Sequence, residues 1–351
     1  MCDTTMTIVE RLQQDGIRRL GTQRSGFRYV ARNGTKLRGR ERARVEDLRL
    51  PPAWSLVAIH PSPSARVQAV GRDAAGRWQY VYHPAHVRRR EERKFARMVE
   101  FGRALPRLRR AVARDLREPG LGQRTVLACL VRILSTAFFR PGSEEYAQSN
   151  GSFGLATLRR KHVGVRGATV RFEFPGKAGK VQQRELRDAR VARIVERLLE
   201  LPGRQVFKFV AEDGTITEVR RSHINAYLKD VMGKRFSAKD FRTWAGTLMC
   251  ACALANAGLA AGESQTARRR KLVAAIKQAA AHLGNTPAVC RASYVAPAVV
   301  AGFEQGRVIP APAPTVDRLA SCGTLALRRC ERALLELLSA QPAERPARRA
   351  A

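Results

Sequence analysis

The period of the apolar residues changes once along this chain, and that change limits the fold more than any other feature. From Gly26 to about Tyr82, short runs of β-type residues alternate with turn signals such as Asn33-Gly34, PSPS and AAG. That pattern predicts a small antiparallel sheet, with WQYVYHP as its clearest strand. Residues 88–99, RRREERKFARMV, read as a charged helix leading out of it. Beyond that point the three-to-four spacing of helices takes over.

Val126, Leu130, Ile133, Leu134 and Ala137 mark one buried helical face that Pro141-Gly142 bring to a stop, so Arg140 falls at a helix exit. Val170, Phe172 and Phe174 alternate with Arg171 and Glu173, which predicts a half-buried strand. The turn after it, Pro175 to Gly179, puts Lys177 at a hairpin tip. A helix through Val191, Ile194, Val195, Leu198 and Leu199 stops at Pro202-Gly203. Ser237 and Asp240 have capping-box spacing ahead of a helix that buries Phe241, Trp244, Ala245 and Leu248. This spacing puts Arg242 off the buried face, toward solvent or ligand. A further helix through Leu272, Val273, Ile276, Ala280 and Leu283 ends at Gly284; Thr286-Pro287 then start a short one that carries Tyr294.

The expected fold class is therefore α+β, a small N-terminal antiparallel sheet domain followed by a larger, mainly helical domain with a β-hairpin. The boundaries read as 1–88 for the sheet domain, 89–303 for the helical domain, and 304–351 for a Pro-rich linker (VIPAPAPTVD), one amphipathic helix over 325–339 and a basic disordered tail.

Charge decides the partner. Lys and Arg number 65 against 30 Asp and Glu, a formal net charge of +35, which points to a polyanion; nucleic acid, whose neutralised phosphates release counterions, fits best. No apolar run approaches the roughly 18 residues a spanning helix needs, and the N-terminal residues lack a signal peptide's apolar region, so no membrane is expected and the cytoplasm, on the nucleoid, is. Seven cysteines without CxxC spacing read as small buried hydrophobes rather than metal ligands or disulfides.

Five polar residues carry the chemistry: Arg140 in FFRPGSEEY, Lys177 in FPGKAGK, Arg242 in KDFRTWAG, Asn285 in LGNTPAVCRASY, and Tyr294 closing that segment. A phenol has a pKa of about 10, so it needs help to attack phosphorus. Guanidiniums fixed around the phosphate oxygens give that help, because charge builds there in the transition state. The kit suits phosphoryl transfer to a tyrosine.

These segments, in this order, resemble the type IB DNA topoisomerases, in particular the short poxvirus-like branch also carried by bacteria. The upstream segments GIRRLGTQRSGFRYV, LPPAW, QAVGRD and QYVYHP resemble that family's N-terminal domain. The resemblance implies Tyr294 as the nucleophile, Arg140 and Arg242 on the scissile phosphate, Lys177 as general acid to the leaving 5′ oxygen, and Asn285 as donor to a non-bridging oxygen where poxviral and eukaryotic relatives have histidine. His282, three residues earlier, stands at the wrong distance from Tyr294 to be that histidine and is expected as a core or helix-surface residue. The same resemblance implies that Gln79, Tyr80 and Tyr82 touch DNA in the major groove and that Tyr146 lies near the phosphate. It further implies a C-shaped clamp on double-stranded DNA with its hinge near residues 84–96, and supercoil relaxation by a monomer with no nucleotide, metal or other cofactor. No GxxxxGK[ST] loop or acidic cluster is present in the sequence. Tyrosine recombinases share the Arg, Lys, Arg, Tyr logic, but theirs usually contains HxxR where this chain has Lys239-Asp240-Phe241-Arg242. A noncatalytic basic DNA-binding protein is the other alternative.

Overall fold

The computed structural model describes residues 6–319 and 324–340. Contacts divide the chain into two compact units, Met1–Lys94 and Phe95–Ala351.

The first unit opens with helix α1 (Ile8–Asp15), held by a capping box in which Thr7 accepts from the Glu10 N–H and Glu10 accepts from the Thr7 N–H. Strands β1 (Ile17–Thr22) and β2 (Gly26–Val30) follow, then helix α2 (Gly39–Asp47) and strands β3 (Ser55–Ile59), β4 (Val67–Arg72) and β5 (Trp78–Tyr82). They form one antiparallel five-stranded sheet in the order β2-β1-β3-β4-β5. The sheet is as expected but begins earlier, since β1 precedes Gly26. Each face has its own core. Leu12 of α1 packs with Ala58, Val67 and Val70, whereas Val45 of α2 packs with Ile17, Val57, Ile59 and Ala69 on the opposite side.

Helix α3 (Pro84–Asp115) is much longer than the 88–99 segment, because Met98, Phe101, Leu105, Leu108 and Val112 continue a buried stripe at three-to-four spacing past Pro106. In the second unit it is followed by α4 (Gln123–Ala137), α5 (Glu144–Asn150), the strands β6 (Val163–Arg166), β7 (Thr169–Pro175) and β8 (Val181–Arg187), and α6 (Ala189–Glu200). The hairpin, β7 with β8, is thus part of a three-stranded sheet in the order β6-β7-β8. A two-stranded ribbon, β9 (Lys208–Val210) with β10 (Ile216–Glu218), leads to α7 (Arg221–Met232), α8 (Ala238–Ala257), α9 (Gln265–Leu283), α10 (Pro287–Tyr294), α11 (Pro297–Glu304), α12 (Val316–Leu319) and α13 (Thr324–Ser339). One core, running from Met98 to Leu334, joins these helices. Helices α4 and α8 are buried nearly all round, so a single amphipathic stripe describes neither.

The segment expected as a free linker and helix is packed onto this core. Ile309, Ala313, Val316 and Leu319 are buried, and Asn256 exchanges two hydrogen bonds with the backbone of Ala313. Helix α13 buries Leu327, Cys330 and Leu334, and its Glu331 accepts from Arg109 of α3 and from the Trp244 indole of α8. Glu331→Ala leaves both donors without this acceptor, and each such loss costs on the order of 1–3 kcal/mol. We expect urea unfolding of that variant to show a loss of about 3 kcal/mol. The expected disordered tail, 341–351, lies outside the described residues, as do Cys2 and Cys322. Cys129, Cys250, Cys252, Cys290 and Cys330 are buried thiols, none of them in a disulfide among the described residues. No helix among the described residues is long and apolar enough to cross a membrane.

Candidate active site

The site is organised by the carboxyl end of α9. Gly284 takes φ +62 there, and the Asn285 N–H reaches back to the Ala280 carbonyl at 2.9 Å, a Schellman closure that ends the helix and turns the chain. Thr286 then caps α10, its hydroxyl accepting from the Val289 N–H at 3.3 Å, with Pro287 in the first turn. Two caps placed back to back leave Asn285 little freedom.

The last carbonyls of a helix have no partner within it and carry the negative end of its dipole, so cations collect there. In this chain three successive carbonyls each receive a guanidinium from a different element. Arg184 of β8 donates to His282, Arg242 of α8 to Leu283 at 2.7 Å, and Arg140, beyond α4, to Gly284 at 3.4 Å. Arg140 also donates to the Asn285 side-chain oxygen at 2.7 Å. Arg242 donates its other terminal nitrogen to Phe138, at 2.9 Å, where the chain leaves α4 in a left-handed conformation with φ +56.

Arg242 is only 4% exposed, which corrects the expectation that it faces solvent: α8 is enclosed on every side, and the guanidinium is buried with its carbonyl partners. Burial, followed by the positive charge of Arg140, pulls its pKa below the usual arginine value. Burial does the same to Arg140. The Arg242 guanidinium carbon lies 5.3 Å from the centre of the Tyr294 ring. The Arg242 Nε and the Asn285 Nδ2 are buried donors with no hydrogen-bond partner among the described residues. Such groups are rare, and an incoming anion's oxygens would satisfy them.

Tyr294 is the last residue of α10, and its place against α8 is set by contact. The Thr247 hydroxyl donates to the Tyr294 carbonyl at 2.9 Å and accepts from the Ala296 N–H at 3.1 Å. Gly246 makes the close approach possible, since a Cβ there would stand 2.7 Å from the Tyr294 Cβ and 2.9 Å from its carbonyl oxygen. Gly246→Ala should therefore move the tyrosine, despite alanine's better helix propensity. A shift near 1 Å can cost up to about a hundredfold in rate. We expect the single-turnover rate of any reaction at the Tyr294 hydroxyl to fall at least about tenfold in this variant.

Lys177 sits in an exposed turn between β7 and β8, next to Ala178 at φ +61. It lines one narrow cleft with Arg140, Arg242, Arg184, Gln182 and His282. His282 is half-buried at the end of α9, its ring edge-on to Phe138, so it faces the same cleft as the candidate residues rather than a remote surface. The structure thus gathers Arg140, Lys177, Arg242, Asn285 and Tyr294 around one helix end.

Tyr146 is 45% exposed on α5 and does not line that cleft. In the first unit, Tyr80 and Tyr82 stack on one face of the edge strand β5 with ring centres 6.1 Å apart. Gln79 lies on the other face, and its amide donates to Asp73 at 2.8 Å. Hydrogen bonds, first from Arg77, hold the Asp73 carboxyl down at about 2. The QYVY residues therefore do not present one common reading face, and the Gln79 amide is already engaged.

Sequence reasoning missed Arg184, Thr247 and the contribution of α13. Gly246 did carry a signal, a glycine inside a strongly helical pattern, which often marks close packing.

Comparison with known proteins gives two family matches: "Eukaryotic DNA topoisomerase I, catalytic core" over residues 85–301 and "Bacterial DNA topoisomerase IB, N-terminal domain" over residues 26–73. The chain is similar to "DNA topoisomerase 1B" of Acanthamoeba polyphaga mimivirus, at 31% identity over 299 residues, 83% of this chain and 88% of the relative. It is also similar to "DNA topoisomerase 1" of rabbit fibroma virus (strain Kasza), at 24% identity over 67% of this chain and 72% of the relative. With "DNA topoisomerase 1B" of vaccinia virus (strain Copenhagen) it shares 27% identity over 32% of this chain and 36% of the relative.

Proposed function

Since the chain belongs to the type IB DNA topoisomerases, a family of isomerases, we propose that it nicks one strand of duplex DNA through a transient 3′-phosphotyrosine, lets the duplex rotate, and reseals it without ATP or metal. The observation that carries this reading is the convergence on the α9 carboxyl end: Arg140 bonded to Asn285, Arg242 beneath the Tyr294 ring, and two buried donors with no acceptor among the described residues.

The Tyr294 Oη gives its proton to solvent and forms a bond to phosphorus. The bond from phosphorus to the 5′ oxygen breaks, and that oxygen takes a proton from the Lys177 ammonium. The phosphate remains a diester, so the energy of the broken bond is kept in the tyrosyl ester and the freed 5′ hydroxyl can reverse the reaction. Arg140, Arg242 and the Asn285 amide hold the non-bridging oxygens, where negative charge grows as the phenolic oxygen adds. Because Arg140 occupies the Asn285 oxygen, the amide's NH2 end is left to face the phosphate.

While the strand is open, torsion in the duplex turns the free end about the intact strand and relaxes supercoils of either sign. The sheet unit and the helical unit close on DNA as a C-shaped clamp, with Tyr80 and Tyr82 in the major groove; Gln79, on the other face of β5, reaches a base only once its bond to Asp73 opens. The protein acts as a monomer on the nucleoid. Plasmid incubated with the protein in EDTA without nucleotide should yield a ladder of relaxed topoisomers. Unchanged plasmid would point to a noncatalytic DNA-binding protein, and products that need paired specific sites to a recombinase.

A further inference from the structure

Lys177 has to deliver a proton to one particular oxygen, yet its turn is exposed and rich in glycine. Within the turn itself, only the Gly176 N–H to Lys180 carbonyl bond at 2.8 Å and the Gly179 N–H to Gly176 carbonyl bond at 3.1 Å stabilise it. Something outside the turn has to fix where the ammonium lies.

We propose that Arg184, with Gln182 beside it, is a positioning residue that latches the Lys177 hairpin to the carboxyl end of α9. The proposal rests on the reading of Lys177 as proton donor given above. Arg184 and Gln182 lie on the covered face of β8, opposite Phe172 and Phe174 of β7, two aromatic residues of the core. The Arg184 Nη2 donates to the His282 carbonyl, next in line to the carbonyls that hold Arg242 and Arg140. This bond is charge-assisted and part-buried, and it ends at the negative pole of a helix, so it is stronger than an ordinary side-chain contact.

Gln182 fills the remaining gap. Its Cγ is 2.9 Å from where a Cβ on Gly176 would be, and its amide nitrogen is 3.2 Å from where a Cβ on Gly284 would be. One side chain is therefore wedged between the residue before Lys177 and the residue before Asn285. From the other side, the Phe153 N–H donates to the Pro175 carbonyl at 2.9 Å. The hairpin is clasped at its neck, and the lysine is registered to the carbonyl next to the two that hold the two arginines. A single helix end thereby sets the distances among proton donor, phosphate clamp and amide.

The test separates positioning of the proton donor from a general defect by changing the leaving group. Cleavage sites are mapped on plasmid DNA, and a duplex carrying one site is made with the bridging 5′ oxygen and with sulfur in its place. A thiol has a pKa of about 8.5 against about 16 for water-like hydroxyls, so sulfur leaves without a proton donor. General-acid catalysis contributes roughly a hundredfold or more. Arg184→Ala should slow single-turnover cleavage of the oxygen duplex by about tenfold or more, and that of the sulfur duplex by less than about threefold. Noncovalent affinity and its salt dependence should be unchanged, and Arg184→Lys, which keeps a donor for His282, should recover most of the rate.

Equal loss on both duplexes, full activity on the oxygen duplex, or a weakened salt slope that marks Arg184 as a phosphate contact would each overturn the latch. Lys177→Ala runs beside it. If sulfur rescues Lys177→Ala but not Arg184→Ala, the latch alone fails; if sulfur does not rescue Lys177→Ala, the proton-donor reading fails and takes the latch with it. Should Arg184→Ala not fold, Gln182→Ala opens the same clasp at a half-buried side chain and is held to the same outcomes.

Discussion

Tyr294→Phe should abolish plasmid relaxation and the protein–DNA adduct trapped by denaturant, while DNA binding measured by gel shift stays within about twofold of the parent. The substitution removes one oxygen and nothing that holds the fold. The ring still packs against the Arg242 guanidinium, and the two bonds from Thr247 are to backbone atoms of Tyr294 and Ala296. Without the hydroxyl there is no atom to take the phosphate, so the effect is a loss of chemistry rather than a slowing of it. Relaxation that survives in this variant would remove Tyr294 from the mechanism, as would a nucleotide adduct found by mass spectrometry on any peptide other than the one ending in RASY.

Arg242→Ala is the second large effect. Removing one preorganised donor to a developing oxyanion costs on the order of a hundredfold to a thousandfold. The cost here should lie at the upper end, because the same side chain also closes two backbone carbonyls, Phe138 at the exit of α4 and Leu283 at the end of α9. Losing it disturbs both segments that deliver Arg140 and Asn285. Arg242→Lys keeps the charge but not the fork. A single ammonium cannot span both carbonyls and still face a phosphate, so it should recover less than about tenfold of the loss in single-turnover cleavage. Recovery to the parent rate would show that charge alone is needed and would sink the bidentate role.

Much of this arrangement was legible one element at a time. Thr286-Pro287 announced the start of α10, Ser237 and Asp240 the start of α8, and Pro175 to Gly179 the turn that carries Lys177, because caps and turns are written in adjacent residues. Arg242 was misjudged for the converse reason. A stripe through Phe241, Trp244, Ala245 and Leu248 describes a helix with one buried face, whereas α8 is covered by α4, α7 and α9 to α13 together. The docking of residues 309–319 and 324–338 was likewise invisible: proline-rich composition suggested a linker, and only Asn256, Arg109 and Trp244, all distant in sequence, show what receives it.

The sequence by itself marked the change from sheet to helices, several caps and turns, and the five residues proposed to bear the chemistry, since periodicity, caps and side-chain identity are local properties. Only the tertiary structure decided that the last two carbonyls of α9 and that of its cap, Gly284, go to Arg184, Arg242 and Arg140, and that Gly246 lets Tyr294 settle beside them. Those contacts join residues from about 40 to 145 positions apart. Nothing in the neighbourhood of an arginine records which distant carbonyl will accept its proton; packing of the whole core makes that choice.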